Sequence, residues 1–270
     1  MIDIGKRKDE HIIINLENDV RSGIVTGFKN YSFNHQALPE ISLKDVNTET
    51  KFLGRALNLP LVISSMTGGT EKGDRINHVL AEAAQLTGIA MGVGSQRAQL
   101  ENGSLTSLNT LRKIAPGIPL YANLGAVQLN YGYSVYECQK VVEILEADGL
   151  ILHLNPLQEA LQPEGQTDFA DLTGKIGEIC KGLEVPVIVK EVGWGITLET
   201  AKKLAKKLAG GAPVAQREIM KAIRLGLETT LHEGITKIEK AAFQTLVFTE
   251  DFKEGSKAFL EKRPANFKGR

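Results

Sequence analysis

Polar side chains and glycines cluster at the ends of five apolar segments, and these residues have the types best suited to chemistry. The segments read LVISSM, IAMGVG, LYANLG, LILHLN and VIVKEV. The residues at their carboxyl ends are Ser64, Ser65, Met66 and Thr67; Gly94, Ser95, Gln96 and Arg97; Asn123; His153, Asn155, Gln158 and Glu159; and Lys190 and Glu191. One such asparagine or histidine is usually a satisfied turn or core residue, but five ends together favour a ligand site.

The glycine turn MTGG at 66–69 directly follows the first segment. Exposed backbone amides there could receive a phosphate or the edge of a flavin. The alternative is a tight turn that needs glycine for a positive φ. The residues alone leave both interpretations open.

The apolar segments recur about every 30 residues and alternate with helical patterns, which is typical of βαβ units. Apolar residues at helical spacing predict helices over 75–87, 105–114, 135–147, 172–183 and 198–208. Parallel units of this kind form either an open doubly wound sheet or a (β/α)8 barrel. No GxGxxG follows the first strand, and the MTGG turn stands there instead, so we favour an α/β fold of TIM-barrel type with about five units.

Composition excludes several classes of protein. The chain has 270 residues, with 32 Lys plus Arg and 32 Asp plus Glu, so bulk charge argues against nucleic-acid and membrane-surface partners. No apolar run is long enough for a membrane span, and the first residues lack a signal-peptide pattern, so we expect a cytoplasmic protein. Cys138 and Cys180 form no CxxC pair and are expected to be reduced structural thiols.

Six motifs together resemble the type 2 isopentenyl-diphosphate isomerase family over residues 1–210. They are RKDEH at 7–11, SSMTGG, GVGSQR, NLGA, HLNPLQE running into QPEG, and VIVKEVGWGIT. The resemblance implies an FMN-dependent (β/α)8 barrel that interconverts isopentenyl diphosphate and dimethylallyl diphosphate. It also implies reduced flavin, with NADPH as reductant, and Mg²⁺.

The resemblance assigns roles to the residues at the strand ends. The flavin would be held by Ser65, Met66, Thr67, Gly68, Ser95, Asn123 and Lys190, and the substrate by Arg7, Lys8, Ser95, Gln96, Arg97 and Gln158. Glu159 would hold the metal, and His153, Asn155 and Gln158 would be the catalytic side chains. A diphosphate requires several cationic donors, for which Arg97 offers a bidentate fork and Lys8 a point charge.

Three of these residues carry further expectations. Lys190 is either a cation that stabilises the anionic reduced flavin or a strand-end lysine that reaches solvent. Gln158 and Glu159 are expected on a loop after the fourth strand, where one could face the substrate and the other a metal.

The residues after Gly210 follow a different pattern. The AGAGGTSW-like segment and GGIR-type loop of the isomerase family are missing, and apolar spacing predicts helix over 214–240. Thr249 is a predicted N-cap before Glu250 and Asp251, and Pro264 ends that helix. The sequence TEDFKEGSKAFLEKR, followed by FKGR, resembles the helical carboxyl end of the enoyl-CoA hydratases of the crotonase superfamily.

We therefore expect a partial barrel over 1–210 and an all-helical segment over 211–270. One hypothesis is an FMN-dependent isomerase. Another is a non-catalytic fusion or chimera with residual flavin binding and a helical oligomerisation tail. Enoyl-CoA hydratase activity has only the tail in its favour. A homo-oligomer is expected in each case, because both parent families assemble.

Overall fold

A computed structural model describes residues 4–20, 28–102, 107–208, 249–261 and 263. The chain forms two compact units. The first comprises Met1–Gln128 and Tyr136–His153, and the second comprises Leu129–Val135 and Leu154–Arg270. The expected junction near Gly210 and the predicted helix over 214–240 lie outside the described residues.

The first unit contains most of the strands. Its helices are α1 (Ile4–Glu17), α2 (Glu71–Thr87), α3 (Arg97–Asn102), α4 (Leu111–Ile114) and α5 (Val135–Leu145), whose first residue falls in the second unit. Its strands are β1 (Thr50–Phe52), β2 (Arg55–Leu57), β3 (Val62–Ile63), β4 (Ala90–Gly92), β5 (Leu120–Gly125) and β6 (Gly149–Leu154), whose last residue falls in the second unit. Short 3-10 helices span Phe28–Asn30, Leu43–Asp45, Ser107–Thr110 and Ala126–Asn130, the last of which ends in the second unit.

Strands β3 to β6 are parallel neighbours in chain order. Val62 pairs with Ala90, Met91 with Leu120, and Tyr121 with Gly149. Helical segments connect each strand to the next, as a parallel pair requires. The predicted α/β architecture of repeated βα units is confirmed for these strands, and their carboxyl ends lie at the same edge of the sheet.

The core of the first unit lies along β4 and β5. Every residue of both strands is buried, which explains why their sequences are continuous apolar runs. Tyr121 packs edge-on against Phe52 of the β1–β2 hairpin, with ring centroids 5.9 Å apart. Burial, and then the nearby Asp148 carboxylate, raise the pKa of the Tyr121 phenol to about 12.

Local capping explains where α2 begins and ends. The helix starts at Glu71, earlier than the apolar pattern predicts, because the Thr70 hydroxyl accepts a hydrogen bond from the Gly73 N–H at 3.1 Å. It ends where Gly88 adopts a left-handed φ of 68°. Hydrophobic periodicity predicts the buried face of a helix but contains no information about its N-cap.

The second unit contains α6 (Pro156–Leu161), α7 (Leu172–Gly182), β7 (Val187–Glu191), α8 (Leu198–Leu208) and α9 (Glu250–Leu260). Helices α7 and α8 pack together, with Gly177 facing the stem of Lys207. At α9 the predicted N-cap is confirmed, because the Thr249 hydroxyl accepts from the Phe252 N–H at 3.0 Å. The predicted end at Pro264 lies outside the described residues.

Two further expectations concern the whole chain. Cys138 and Cys180 are both free thiols, as predicted, and burial raises the pKa of Cys138 to about 12. Within the residues that the structure describes, no helix has both the length and the apolar composition needed to cross a bilayer.

Two ion pairs that share Asp148 join several segments of the first unit. The Asp148 carboxylate accepts from the Arg112 guanidinium at 2.7 Å and from the Leu120 N–H at 2.9 Å, while Arg55 lies 3.2 Å away. Arg112 also donates to the Glu146 and Ile118 carbonyls. This network fixes the approach to β5 and β6 at their amino ends.

We predict that Asp148→Asn destabilises the protein by about 3 kcal/mol, because it leaves the Arg112 charge without its counterion. Urea unfolding followed by circular dichroism measures the loss. The control is Glu143→Gln, which removes a carboxylate from the exposed face of α5 and should leave the unfolding midpoint unchanged. Equal midpoints for the two variants would contradict the prediction.

Candidate functional site

The turns after β3 and β4 pack backbone against backbone. A Cβ on Gly94 would overlap the Thr67 carbonyl group, and one on Gly68 would lie 3.7 Å from the Gly94 Cα. Buried Asn77 of α2 donates from Nδ2 to the Thr67 carbonyl at 3.1 Å. The two turns therefore form one closely packed backbone surface at the carboxyl ends of β3 and β4.

The MTGG turn combines a tight bend with an exposed side chain. Gly69 has φ of +79°, so the tight-turn interpretation is confirmed at that residue. Met66, in contrast, is 74% exposed at the sheet edge. The thioether of Met66 is therefore accessible to a ligand.

Lys8 joins the N-terminal helix to these turns. Its Nζ donates to the Ser95 carbonyl at 3.1 Å and lies 2.8 Å from the position that a Cβ on Gly69 would occupy. Lys8 and Ser95, both of which were expected to bind the substrate, are thus in contact. The side chain of Arg7 lies outside the described part of the chain.

Arg97 is the first residue of α3 and is partly exposed. Its Nε donates to Glu101 at 2.7 Å, one helical turn further on. This pair orients the guanidinium from one side and leaves the side chain 24% exposed. An incoming anion would compete with the Glu101 carboxylate for this cation.

Asn123 and His153 meet at the ends of β5 and β6. The Asn123 Oδ1 lies 2.9 Å from the His153 Nδ1, and a ring that carries its proton on Nδ1 donates to this oxygen. Asn123 is 1% exposed, and within the described residues its Nδ2 has no hydrogen-bond partner. The Ser65 hydroxyl, which lies over Gly92, is likewise buried and unsatisfied there.

The polar atoms of the Gln96 side chain are all hydrogen-bonded within the protein. Gln96 is 1% exposed, its Oε1 accepts from the Asn123 N–H at 3.1 Å, and its Nε2 donates to Gln99 at 3.1 Å and to the Val141 carbonyl at 3.4 Å. The structure therefore places the Gln96 side chain between β5 and α5, behind the turn that it was expected to line.

In the second unit, Asn155, Gln158 and Glu159 form a second cluster. The expectation of a loop is wrong here, because Pro156 at the first helical position and Asn155 at the N-cap start helix α6. Glu159 is 8% exposed and accepts from Asn155 Nδ2 at 2.9 Å and from the Gln166 N–H at 2.8 Å, while Gln158 is exposed. Within this cluster the two neighbours do face different environments.

Lys190, at the end of β7, is half-buried. Burial lowers the pKa of its ammonium, and the adjacent Glu191 carboxylate opposes that shift. Burial disfavours the charged form of Glu191 too, but hydrogen bonds from backbone N–H groups outweigh burial and lower its pKa. Among these, Gly193 and Trp194 donate at 2.5 Å and Gly195 at 2.9 Å.

Sequence reasoning missed three residues that support the site. Asn77 holds the Thr67 carbonyl, Gly73 packs against Gly68, and Gln99 accepts from Gln96. A polar residue on the apolar face of a predicted helix was the signal for Asn77. Gln99 offered no signal, because its partner becomes apparent only once Gln96 is known to be buried.

The described residues fit a flavin. A flavin ring presents several acceptor atoms at one edge, and the unsatisfied Asn123 Nδ2 and Ser65 hydroxyl are buried donors at the strand ends. Fewer of the described residues are suited to binding magnesium. Within the described residues no group of three His, Cys, Asp or Glu side chains could hold an ion, so Glu159 would need phosphate and water as further ligands.

These features define a protein of parallel βα units with polar groups at the carboxyl ends of its strands. About three quarters of the chain is similar to proteins named isopentenyl-diphosphate delta-isomerase. One from Rickettsia canadensis is 53% identical over 199 residues, covering 74% of this chain and 58% of the relative. One from a Synechococcus species is 55% identical over 200 residues, again covering 74% and 58%. The chain thus spans less than two thirds of the length of these curated relatives.

The other comparisons concern the carboxyl end and the fold. Residues 184–270 match the family model described as enoyl-CoA hydratase/isomerase. Among solved structures, a flavocytochrome b2 variant with sulfite bound has a TM-score of 0.49 and 17% identity, covering 67% of this chain and 46% of that one. A mandelate oxidase variant with an FMN adduct has a TM-score of 0.45 and 17% identity, covering 63% and 51%.

We predict that Gly94→Ala destabilises the first unit by about 1 to 3 kcal/mol, because the added methyl group overlaps the Thr67 carbonyl and separates the two turns. Urea unfolding provides the measurement. Gly117→Ala is the control, since its methyl group would meet only the flexible end of Gln85. A Gly94→Ala protein as stable as the control would show that the turns are not closely packed.

Proposed function

We propose that the chain is an FMN-dependent isopentenyl-diphosphate isomerase of type 2 and that its strands form part of a (β/α)8 barrel. The observation that carries this proposal is the similarity to proteins named for that activity, at 53% identity over 199 residues. Buried donors at the strand ends support it, because they suit a planar ligand with several acceptor atoms. Since the chain covers 58% of that relative, its own activity needs a direct test.

In this proposal the flavin is held mainly from the first unit. Asn123 donates from Nδ2 and Ser65 from its hydroxyl, while Met66, Thr67, Gly68 and Ser95 line the ring. Lys190 balances negative charge on the reduced ring, and its half-buried position supports that role over the solvent-reaching alternative. When bound, reduced FMN supplies the proton transfer at the allylic carbon, with NADPH as the source of reducing equivalents.

The diphosphate is bound by cations. Arg97 offers two parallel N–H donors to phosphate oxygens, and Lys8 and Arg7 add charge from α1. Glu159 would provide one carboxylate ligand to Mg²⁺, and phosphate oxygens and water would complete the coordination shell. His153, Asn155 and Gln158 are proposed as the catalytic side chains, with the His153 ring held beside Asn123.

A second candidate is a non-catalytic flavin-binding protein with a helical assembly tail. The observation that favours it is the match of residues 184–270 to a different family model, together with the absence from the sequence of the late glycine-rich segments expected of an isomerase. In that case the tail would mediate contacts between copies in a cytoplasmic homo-oligomer, without acyl-CoA chemistry.

Conversion of labelled isopentenyl diphosphate to dimethylallyl diphosphate decides between the candidates. With FMN, NADPH and Mg²⁺ present, we expect conversion slower than about 1 per second, because ordinary enzymes reach that rate with a complete site. Omitting FMN should abolish it, and crotonyl-CoA should not be hydrated. No conversion above the flavin-free control would overturn the isomerase proposal and leave the second candidate.

We predict that Arg97→Ala weakens isopentenyl diphosphate binding by about 1.5 to 3 kcal/mol, the contribution of a charge-assisted hydrogen bond. Calorimetric titration measures it. Lys203→Ala is the control, since Lys203 is an exposed cation that pairs with Glu199 on the same helix, α8. If the two variants bind equally well, Arg97 is not part of the diphosphate site.

A further inference from the structure

The strands β4 and β5 stay connected beyond the end of their regular pairing. Their register ends at Gly92 and Tyr121, after which the Val93 N–H donates to the Tyr121 carbonyl at 3.1 Å. The next hydrogen bond between the two segments lies further along the turn, where the Gln96 N–H donates to the Asn123 carbonyl at 2.9 Å. The chain after β4 thus leaves the strand direction but still meets β5 at Asn123.

The Gln96 side chain completes this connection. Its Oε1 accepts from the Asn123 N–H at 3.1 Å, so one residue satisfies both the donor and the acceptor of the Asn123 main chain. Both hydrogens of the Gln96 amide are directed away from the sheet edge, to Gln99 and to the Val141 carbonyl. The carboxamide therefore has no N–H left for a ligand.

We propose that Gln96 is a positioning residue that acts through Asn123. By fixing the Asn123 main chain on both sides, Gln96 sets the direction of the Asn123 carboxamide. The Oδ1 of that group meets His153, and its Nδ2, buried and without a partner among the described residues, is the donor that the proposal assigns to the ligand. Gln96 itself does not touch substrate. This inference rests on the proposed function only for the identity of the ligand as a flavin.

The test compares Gln96→Met with Gln128→Met. Both replace a buried carboxamide of the first unit by an apolar chain of similar volume, but only the first removes the side-chain hydrogen bond to the Asn123 N–H. Three quantities are measured on the full chain: amide hydrogen exchange at Asn123 relative to amides of β6, the dissociation constant for FMN, and the urea unfolding midpoint.

We expect Gln96→Met to accelerate Asn123 exchange and to weaken FMN binding, each by about tenfold, because one main-chain hydrogen bond is lost and the carboxamide is no longer fixed. Gln128→Met should change both quantities by less than about threefold. A purely structural role would lower the unfolding midpoint of Gln96→Met and leave the ratio of the two FMN affinities near one.

Other results would overturn the inference. Unchanged Asn123 exchange in Gln96→Met, with weaker FMN binding, would mean that Gln96 contacts the ligand directly. Faster exchange with unchanged affinity would mean that the position of Asn123 does not matter for binding.

If the wild-type chain binds no FMN, the proposed flavin function fails, whereas the exchange measurement still decides whether Gln96 holds Asn123. Should the methionine variant not fold, Gln96→Asn, whose shorter amide cannot reach Asn123, replaces it.

Discussion

Where β4 ends, the chain must turn away from its neighbour without leaving buried main-chain groups of β5 unsatisfied. Burial makes this constraint strict, since an unpaired backbone group in the core costs as much as a lost hydrogen bond or more. Gln96 meets the constraint with its own N–H and its side-chain oxygen, both bonded to Asn123. The positions of Asn123, of His153 beside it, and of the turn bearing Ser95 and Arg97 all depend on this arrangement.

The same edge of the sheet tolerates little added volume. Gly94 and Gly68 allow the two turns to approach until main chain contacts main chain, and Asn77 holds the Thr67 carbonyl from behind. Two buried donors without partners among the described residues, the Asn123 Nδ2 and the Ser65 hydroxyl, lie at this edge of the sheet beside a closely packed backbone. A site preorganised in this way loses less entropy on binding a planar ligand than one built from free loops.

Strands and amphipathic helices were predictable from the sequence because their signals are local. Helix α8 has the predicted bounds of Leu198–Leu208, and β5 is the apolar run Leu120–Gly125. Helix α6 was not predicted, because it is short and its start depends on Pro156 and Asn155 rather than on periodicity. The candidate site was predictable as a set of strand ends, from the polar residues that follow each apolar run.

The burial of Gln96 was not predictable, since its partners Asn123 and Val141 lie 27 and 45 residues away in sequence. A polar residue at a strand end has the same signature whether it faces a ligand or supports a neighbour. Only the fold distinguishes the two.

The central claim is that the Asn123 Nδ2, which has no partner among the described residues, donates a hydrogen bond to the flavin. Nuclear magnetic resonance of the Asn123 side-chain amide, in a chain labelled with ¹⁵N at asparagine and titrated with FMN, tests it most directly. The account predicts a saturable shift of the Asn123 amide protons, in step with FMN binding followed by flavin fluorescence, and no such shift for the exposed Asn47 side chain. Saturable FMN binding with an unchanged Asn123 resonance would contradict it.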